Sequence, residues 1–111
     1  MDFEHYKKFV VRGIVMDPDT FRERLGLAGI GLAGEAGEVA DHVKKVQYHG
    51  TAMDRDKLVI EMGDVLWYFA LLADLYDITL DELMEINVYK LCNRYGERHG
   101  YPEDIIAGRD T

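Results

Sequence analysis

A chain of 111 residues, 48% hydrophobic and 31% charged, has the make-up of one soluble globular domain, 1–111, able to bury a core without staples. Thirteen basic against twenty-one acidic side chains leave a formal charge of −8, which repels a phosphate backbone and argues against nucleic-acid binding. The lone cysteine, Cys92, excludes an internal disulfide framework; with no basic leader and no apolar run beyond the nine residues 65–73, a cytoplasmic protein without a membrane span is expected.

Helix signals dominate, and strand alternation and hairpin dipeptides are missing between Pro18 and Pro102. Phe3, Tyr6, Phe9 and Val10 recur at helical spacing and predict a short first helix that stops near Gly13. Thr20 with Glu23 reads as a capping box opening a long second helix, which runs to about Tyr48 and stops at His49-Gly50. Asp54 or Thr51 caps a third helix ending around Tyr76-Asp77. Thr79 with Glu82 is a second capping box and opens a fourth helix, ending near Gly96 or Gly100.

The third helix is apolar on every side over 65–73, so it demands cover all round. Three other modest helices in one chain do not supply that cover easily. The second helix carries five glycines between Gly26 and Gly37, each costing up to about 1 kcal/mol in a helix interior against alanine. Gly29, Ala33 and Gly37 form a ridge where another helix can approach closely. Together these features predict an all-α, four-helix bundle completed by homo-oligomerisation. One tempting pattern is set aside: 29–34, Gly-Ile-Gly-Leu-Ala-Gly, matches the dinucleotide fingerprint G-x-G-x-x-G. That fingerprint works only between a strand and a helix, and the preceding segment, Thr-Phe-Arg-Glu-Arg-Leu, is capped, charged and helical.

Glu35 and Glu38 stand three apart on the second helix, as Glu61 and Asp64 do on the third. Residues at that spacing share a helix face. If the two helices are antiparallel neighbours, four carboxylates converge, and they cannot all stay ionised without a counter-charge. A hard divalent cation supplies it: Mg²⁺, with Mn²⁺ as substitute, bound by oxygen ligands with sites left for water and phosphates. A Glu-x-x-Glu alone is commonplace on a solvated helix surface. Glu61 and Asp64 differ because Leu58-Val59-Ile60 precedes and Val65-Leu66-Trp67 follows them, and charged groups in such apolar company are rarely buried unless paired or ligating.

Glu35-x-x-Glu38, twenty-two residues, then Glu61-x-x-Asp64, within Gly-Glu-Ala-Gly-Glu-Val-Ala-Asp (34–41) and Glu-Met-Gly-Asp-Val-Leu-Trp-Tyr (61–68), resembles the signature of the MazG-like all-α nucleoside triphosphate pyrophosphohydrolases. The resemblance covers roughly residues 20–98. It implies Mg²⁺-dependent hydrolysis of nucleoside triphosphates to monophosphate and pyrophosphate. It also implies assembly as a homodimer or a homotetramer built from dimers, with the site near the subunit interface. Glu35, Glu38, Glu61 and Asp64 are then both metal ligands and catalytic residues. Many relatives carry a further glutamate just before the first motif glutamate; here that position is Gly34, which leaves activation of the attacking water to a ligand carboxylate or to the metal.

Asn87, Lys90 and Arg94 share one face of the fourth helix, where basic groups can neutralise substrate phosphates; the resemblance places an Asn-x-x-Lys pair on the corresponding helix. Lys45, on the face of Glu38, is a further phosphate candidate. Trp67 and Tyr68 are within reach of a base stacked beside the metal, although rings in this helix also suit a core. His42, four residues after Glu38, can support a ligand from behind. The absence of any Glu-x-x-His argues against a ferritin-like di-iron bundle. Gly31 and Gly34, on the stripe of Glu35 and Glu38, leave room for a purine deoxynucleotide, dGTP first. The alternatives are stepwise removal of phosphates on the same metal site, and a non-catalytic helical interaction module whose acids are merely solvated.

Overall fold

The computed structural model describes residues 1–14 and 21–95, and among these it holds four α-helices and no strand: α1 (Phe3–Arg12), α2 (Phe21–His49), α3 (Arg55–Leu75) and α4 (Leu80–Tyr95). The all-α expectation holds, and the described helix limits lie close to the expected ones. Thr20, half of the first expected capping box, lies outside the described residues, as do Gly96, Gly100 and the tail beyond Pro102.

Short-range chemistry sets the ends. The Asp2 side chain accepts from the His5 amide at 2.8 Å and opens α1, and the Gly13 amide closes it on the Phe9 and Val10 carbonyls. Past α2, Gly50 takes a φ of +69°, a conformation that favours glycine, and the Thr51 amide turns back to the Lys45 carbonyl. Of the two residues expected to cap α3, Asp54 does so: its side chain accepts from the Lys57 amide at 3.0 Å. The Thr79 hydroxyl accepts from the Glu82 amide at 3.1 Å and starts α4.

The chain divides into two compact units, Met1–Asp77 and Ile78–Thr111. In the first, α2 packs along α3, and α1 packs against α3. His42 meets Glu61 while Gly31 meets Tyr68, so α3 numbers rise as α2 numbers fall and the pair is antiparallel. The core is small: Val10, Ala28, Ala70 and Leu71 are buried, with Phe3, Tyr6, Leu27, Trp67 and Leu75 packed around them. Apolar burial stabilises such a cluster at about 25 cal/mol per Å². α3 is therefore lined on its α1 and α2 sides, yet Val59, Ile60, Met62 and Leu66 stay exposed.

The glycine-rich stretch of α2 serves a different contact from the ridge expected of it. Beside Gly29 and Gly37 there is open space within the chain. The close approach is at Gly31, where a Cβ would overlap the ring of Tyr68 from α3. Its missing side chain is what lets that aromatic ring lie against the α2 backbone.

Gly31→Ala should therefore destabilise the fold by about 1–3 kcal/mol, because displacing the Tyr68 ring outweighs alanine's helix preference. Gly29→Ala should gain up to about 1 kcal/mol where nothing covers that face. Thermal and denaturant unfolding of the two variants checks both signs.

Candidate active site

The antiparallel pairing of α2 with α3 places Glu35 beside Asp64 and Glu38 beside Glu61. The first pair lines a pocket of about 330 Å³ together with Trp67 and Tyr68. The second lines another of about 320 Å³, with Asp41, His42, Lys45 and Lys57 around it and the 51–54 connection at one end. The expected convergence of four acids is thus realised as two facing pairs. Among the described residues no three His, Cys, Asp or Glu side chains gather closely enough to hold one ion. The reason is geometric: a step of three residues advances about 4.5 Å along a helix, so the two pairs stand at successive levels between α2 and α3.

Glu61 is largely enclosed, with 14% of its side chain exposed, whereas Glu38 and Asp64 are exposed. Its Oε1 lies 3.5 Å from His42 Nδ1 and 3.9 Å from Lys57 Nζ, while Oε2 is buried and has no hydrogen-bond partner. A buried acceptor without a donor is costly and is the exception in folded proteins. An all-carboxylate donor set with such a free oxygen fits a hard divalent cation in chemistry.

Lys45, expected on substrate phosphates, sits on the rim of the second pocket and is held by Asp41, Nζ to Oδ2 at 2.9 Å. The hydrogen bond from Lys45 and its charge hold the Asp41 carboxyl below its ordinary value, and the same contact raises the Lys45 ammonium. A phosphate must win this lysine from Asp41. Lys57 is a neighbour the motif spacing did not single out, although its position one turn before Glu61 made it legible. Tyr6 of α1 is another: burial pushes its phenol above the ordinary value, and the charge of Asp64 pushes the same way, so the hydroxyl stays a donor near that acid.

Trp67 and Tyr68 touch edge-on, ring centroids 5.0 Å apart, and both line the Glu35–Asp64 pocket, while Trp67 also packs against the core. The room expected beside the ligands is only half there. Tyr68 fills the space at Gly31, whereas nothing lies within 4 Å of a Cβ at Gly34. Asn87, Lys90 and Arg94 belong to the second unit. There Asn87 and Lys90 line a hollow of about 270 Å³ with Ile78, Glu82, Leu83 and Ile86. His5 and Cys92 take no part in either acid pocket: His5 caps α1 with Asp2, and Cys92 is a half-buried free thiol.

With this geometry in view, comparison with known proteins is informative. Residues 28–99 match the MazG nucleotide pyrophosphohydrolase domain, and the chain belongs to that family. It is 42% identical over 76 residues to the gene 37 protein of Mycobacterium phage L5, covering 65% of this chain and 67% of the phage protein. It is 33% identical over 73 residues to the uncharacterised protein YvdC of Bacillus subtilis (strain 168), covering 58% of this chain and 69% of that one. No solved structure gives a significant match. No helix among the described residues is long and apolar enough to cross a membrane.

The orphaned Glu61 oxygen yields a direct test. In metal-free protein Glu61→Gln should be no less stable than the parent, and up to about 1 kcal/mol more stable, since it removes a largely enclosed negative charge that faces Glu38. If Mg²⁺ binds these acids, any rise in melting temperature it gives the parent should vanish in this variant. Calorimetry with and without EDTA reads both.

Proposed function

We propose that the chain hydrolyses nucleoside triphosphates to monophosphate and pyrophosphate, with Mg²⁺ or Mn²⁺ held by Glu35, Glu38, Glu61 and Asp64. The observation that carries this reading is the register of α2 on α3, which sets the two motif pairs face to face within a chain of the pyrophosphohydrolase family. The family match runs across both compact units, which supports treating 1–111 as one functional domain. When bound, the cation lowers the pKa of an attacking water and neutralises charge on the phosphate oxygens.

The residues divide the remaining work. Trp67 and Tyr68 give the Glu35–Asp64 pocket an aromatic wall against which a base stacks. Lys45 stands at the Glu38–Glu61 pocket and exchanges Asp41 for a phosphate oxygen. Asn87, Lys90 and Arg94, on α4 within the family match, are the further residues proposed to bind phosphate. Gly34 carries no carboxylate, so a proton leaving the attacking water passes to one of the four acids. The open space at Gly34 is what supports a purine deoxynucleotide, dGTP, as the favoured substrate, against the space that Tyr68 takes at Gly31. The same acids also suit stepwise phosphate removal, and the missing glutamate at Gly34 is the feature that favours it as a second reading.

The exposed Val59, Ile60, Met62 and Leu66 of α3 support a homodimer, or a tetramer built from dimers, as the working state. Light scattering at micromolar concentration should find the chain at twice or four times its own mass; a folded, stable monomer would refute the assembly.

Glu38→Ala and Asp64→Ala should each lose at least about 10²–10³ in turnover, the scale of removing a group that stabilises transition-state charge, with helicity retained. Chromatography of the products, with dGTP tried among the eight common nucleotides, separates pyrophosphate release from stepwise orthophosphate release. Near-parental rates in both variants, or rates indifferent to EDTA, would refute the four-acid metal site; no nucleotide turnover, with a melting temperature that neither EDTA nor Mg²⁺ with nucleotide changes, would leave the interaction module standing instead. A preference for dUTP or dCTP would overturn the purine assignment alone.

A further inference from the structure

We propose that His42 is a positioning residue for Glu61: its Nδ1–H engages carboxylate oxygen Oε1, so that Oε2 is presented alone to the divalent cation. The inference rests on the metal reading above and concerns how one ligand of that site is aimed.

The donors around Glu61 are arranged on one side only. His42 Nδ1 at 3.5 Å and Lys57 Nζ at 3.9 Å both face Oε1, whereas Oε2 has no donor at all. A carboxylate so placed has one oxygen with neighbours and one left over, which is the arrangement a monodentate ligand needs. His42 is itself only 8% exposed, and its Nδ1 is buried without a hydrogen-bond partner. A histidine kept in the core for packing alone would turn this nitrogen to a backbone carbonyl or to water, because buried polar atoms are rarely left unmatched. Here it faces Glu61 Oε1, at 3.5 Å, a separation just beyond hydrogen-bond length. A shift of about half an ångström by Glu61 closes the contact to ordinary hydrogen-bond length. Both the Nδ1–H tautomer and the imidazolium carry the required hydrogen, so the role does not turn on a change of protonation.

The position is specific in chain terms. His42 follows Glu38 by one turn of α2 and stands on the same pocket, while Glu61 comes from α3. The contact therefore ties the ligand of one helix to the helix that carries the other, and fixes the Glu61 carboxylate against rotation about its last bond. Lys57 cannot replace it, since its side chain is 62% exposed and reaches Oε1 only loosely. Partners that orient ligating side chains are typically worth 10–100-fold in metal affinity.

Binding of Mn²⁺ alone to the full chain, read by calorimetry or by the electron paramagnetic resonance of the free ion, tests the role without turnover. His42→Phe keeps a ring in place and removes the donor; Mn²⁺ affinity should fall about 10–100-fold with the helical dichroism unchanged. His42→Asn puts an amide nitrogen where Nδ1 stood and should recover most of the loss, whereas His42→Gln, one bond longer, should not. If His42→Phe binds Mn²⁺ as the parent does while Glu61→Gln loses it, the positioning role is wrong and the metal site stands. If Glu61→Gln also binds as the parent does, the metal reading fails and this inference with it. Should His42→Phe not fold, the Asn and Gln variants decide between them: Asn tighter than Gln supports the role, and equal affinities overturn it.

Discussion

The close passage of Tyr68 over Gly31 is the constraint on which the rest of the first unit depends. It allows the α3 ring to lie on the α2 backbone and so fixes how far the two helices may slide past each other. With that register set, Glu35 stands at Asp64 and Glu38 at Glu61; a slip of one residue would turn one member of each pair about 100° away. The site is a consequence of helix packing, because no loop carries any of the four acids. Acids on two rigid helices are placed more reproducibly than acids on loops, which suits a metal whose ligand geometry is demanding.

That packing leaves an electrostatic problem, because acids face acids with few basic side chains beside them. Two lysines stand at the Glu38–Glu61 pocket: Lys45 is committed to Asp41 at 2.9 Å, and Lys57 reaches Glu61 only at 3.9 Å. The lysines are mostly exposed, so their attraction is screened and cannot take the place of a bound cation. Glu61 consequently keeps an unsatisfied oxygen inside the fold, a defect that selection for stability alone would remove. Defects of this kind mark places where the sequence serves something other than folding.

The helices were legible in the sequence where local punctuation marks them, Asp54 and Thr79 as side-chain caps and Gly13 and Gly50 as stops, whereas the Asp2 cap of α1 emerged only from the structure. The four acids were legible because their spacing is a property of one helix at a time. The facing of Glu38 with Glu61 across two helices, and the split into two pockets, depend on a register that no single-helix pattern encodes. The same limit explains the glycines. Composition shows that α2 is rich in small residues, but whether Gly29 or Gly31 receives a neighbour is decided by α3. Lys57 lay one turn from Glu61 in plain view, while the influence of Asp64 on Tyr6 arises from α1 packing on α3 and had no sequence signal.

The apolar residues of α3 that the chain leaves exposed are interleaved with its acids. Ile60 and Met62 stand on either side of Glu61, and Leu66 follows Asp64 by two positions, each residue turned about 100° from the last. Ile60 and Asp64 are one turn apart and only about 40° apart around the helix, so a surface that covered Ile60 would come close to Asp64 and reduce the water reaching it. Lower local dielectric strengthens every charge–charge contact in a pocket, and a cation among carboxylates gains more from this than a surface lysine does. Cover for Ile60 and confinement of Asp64 are thus one structural event, whereas Val59, Met62 and Leu66 stand 100° or more around the helix from Glu61, which α2 encloses instead. That division follows from the helical period alone: on α3 one acid adjoins the exposed apolar face and the other turns away from it.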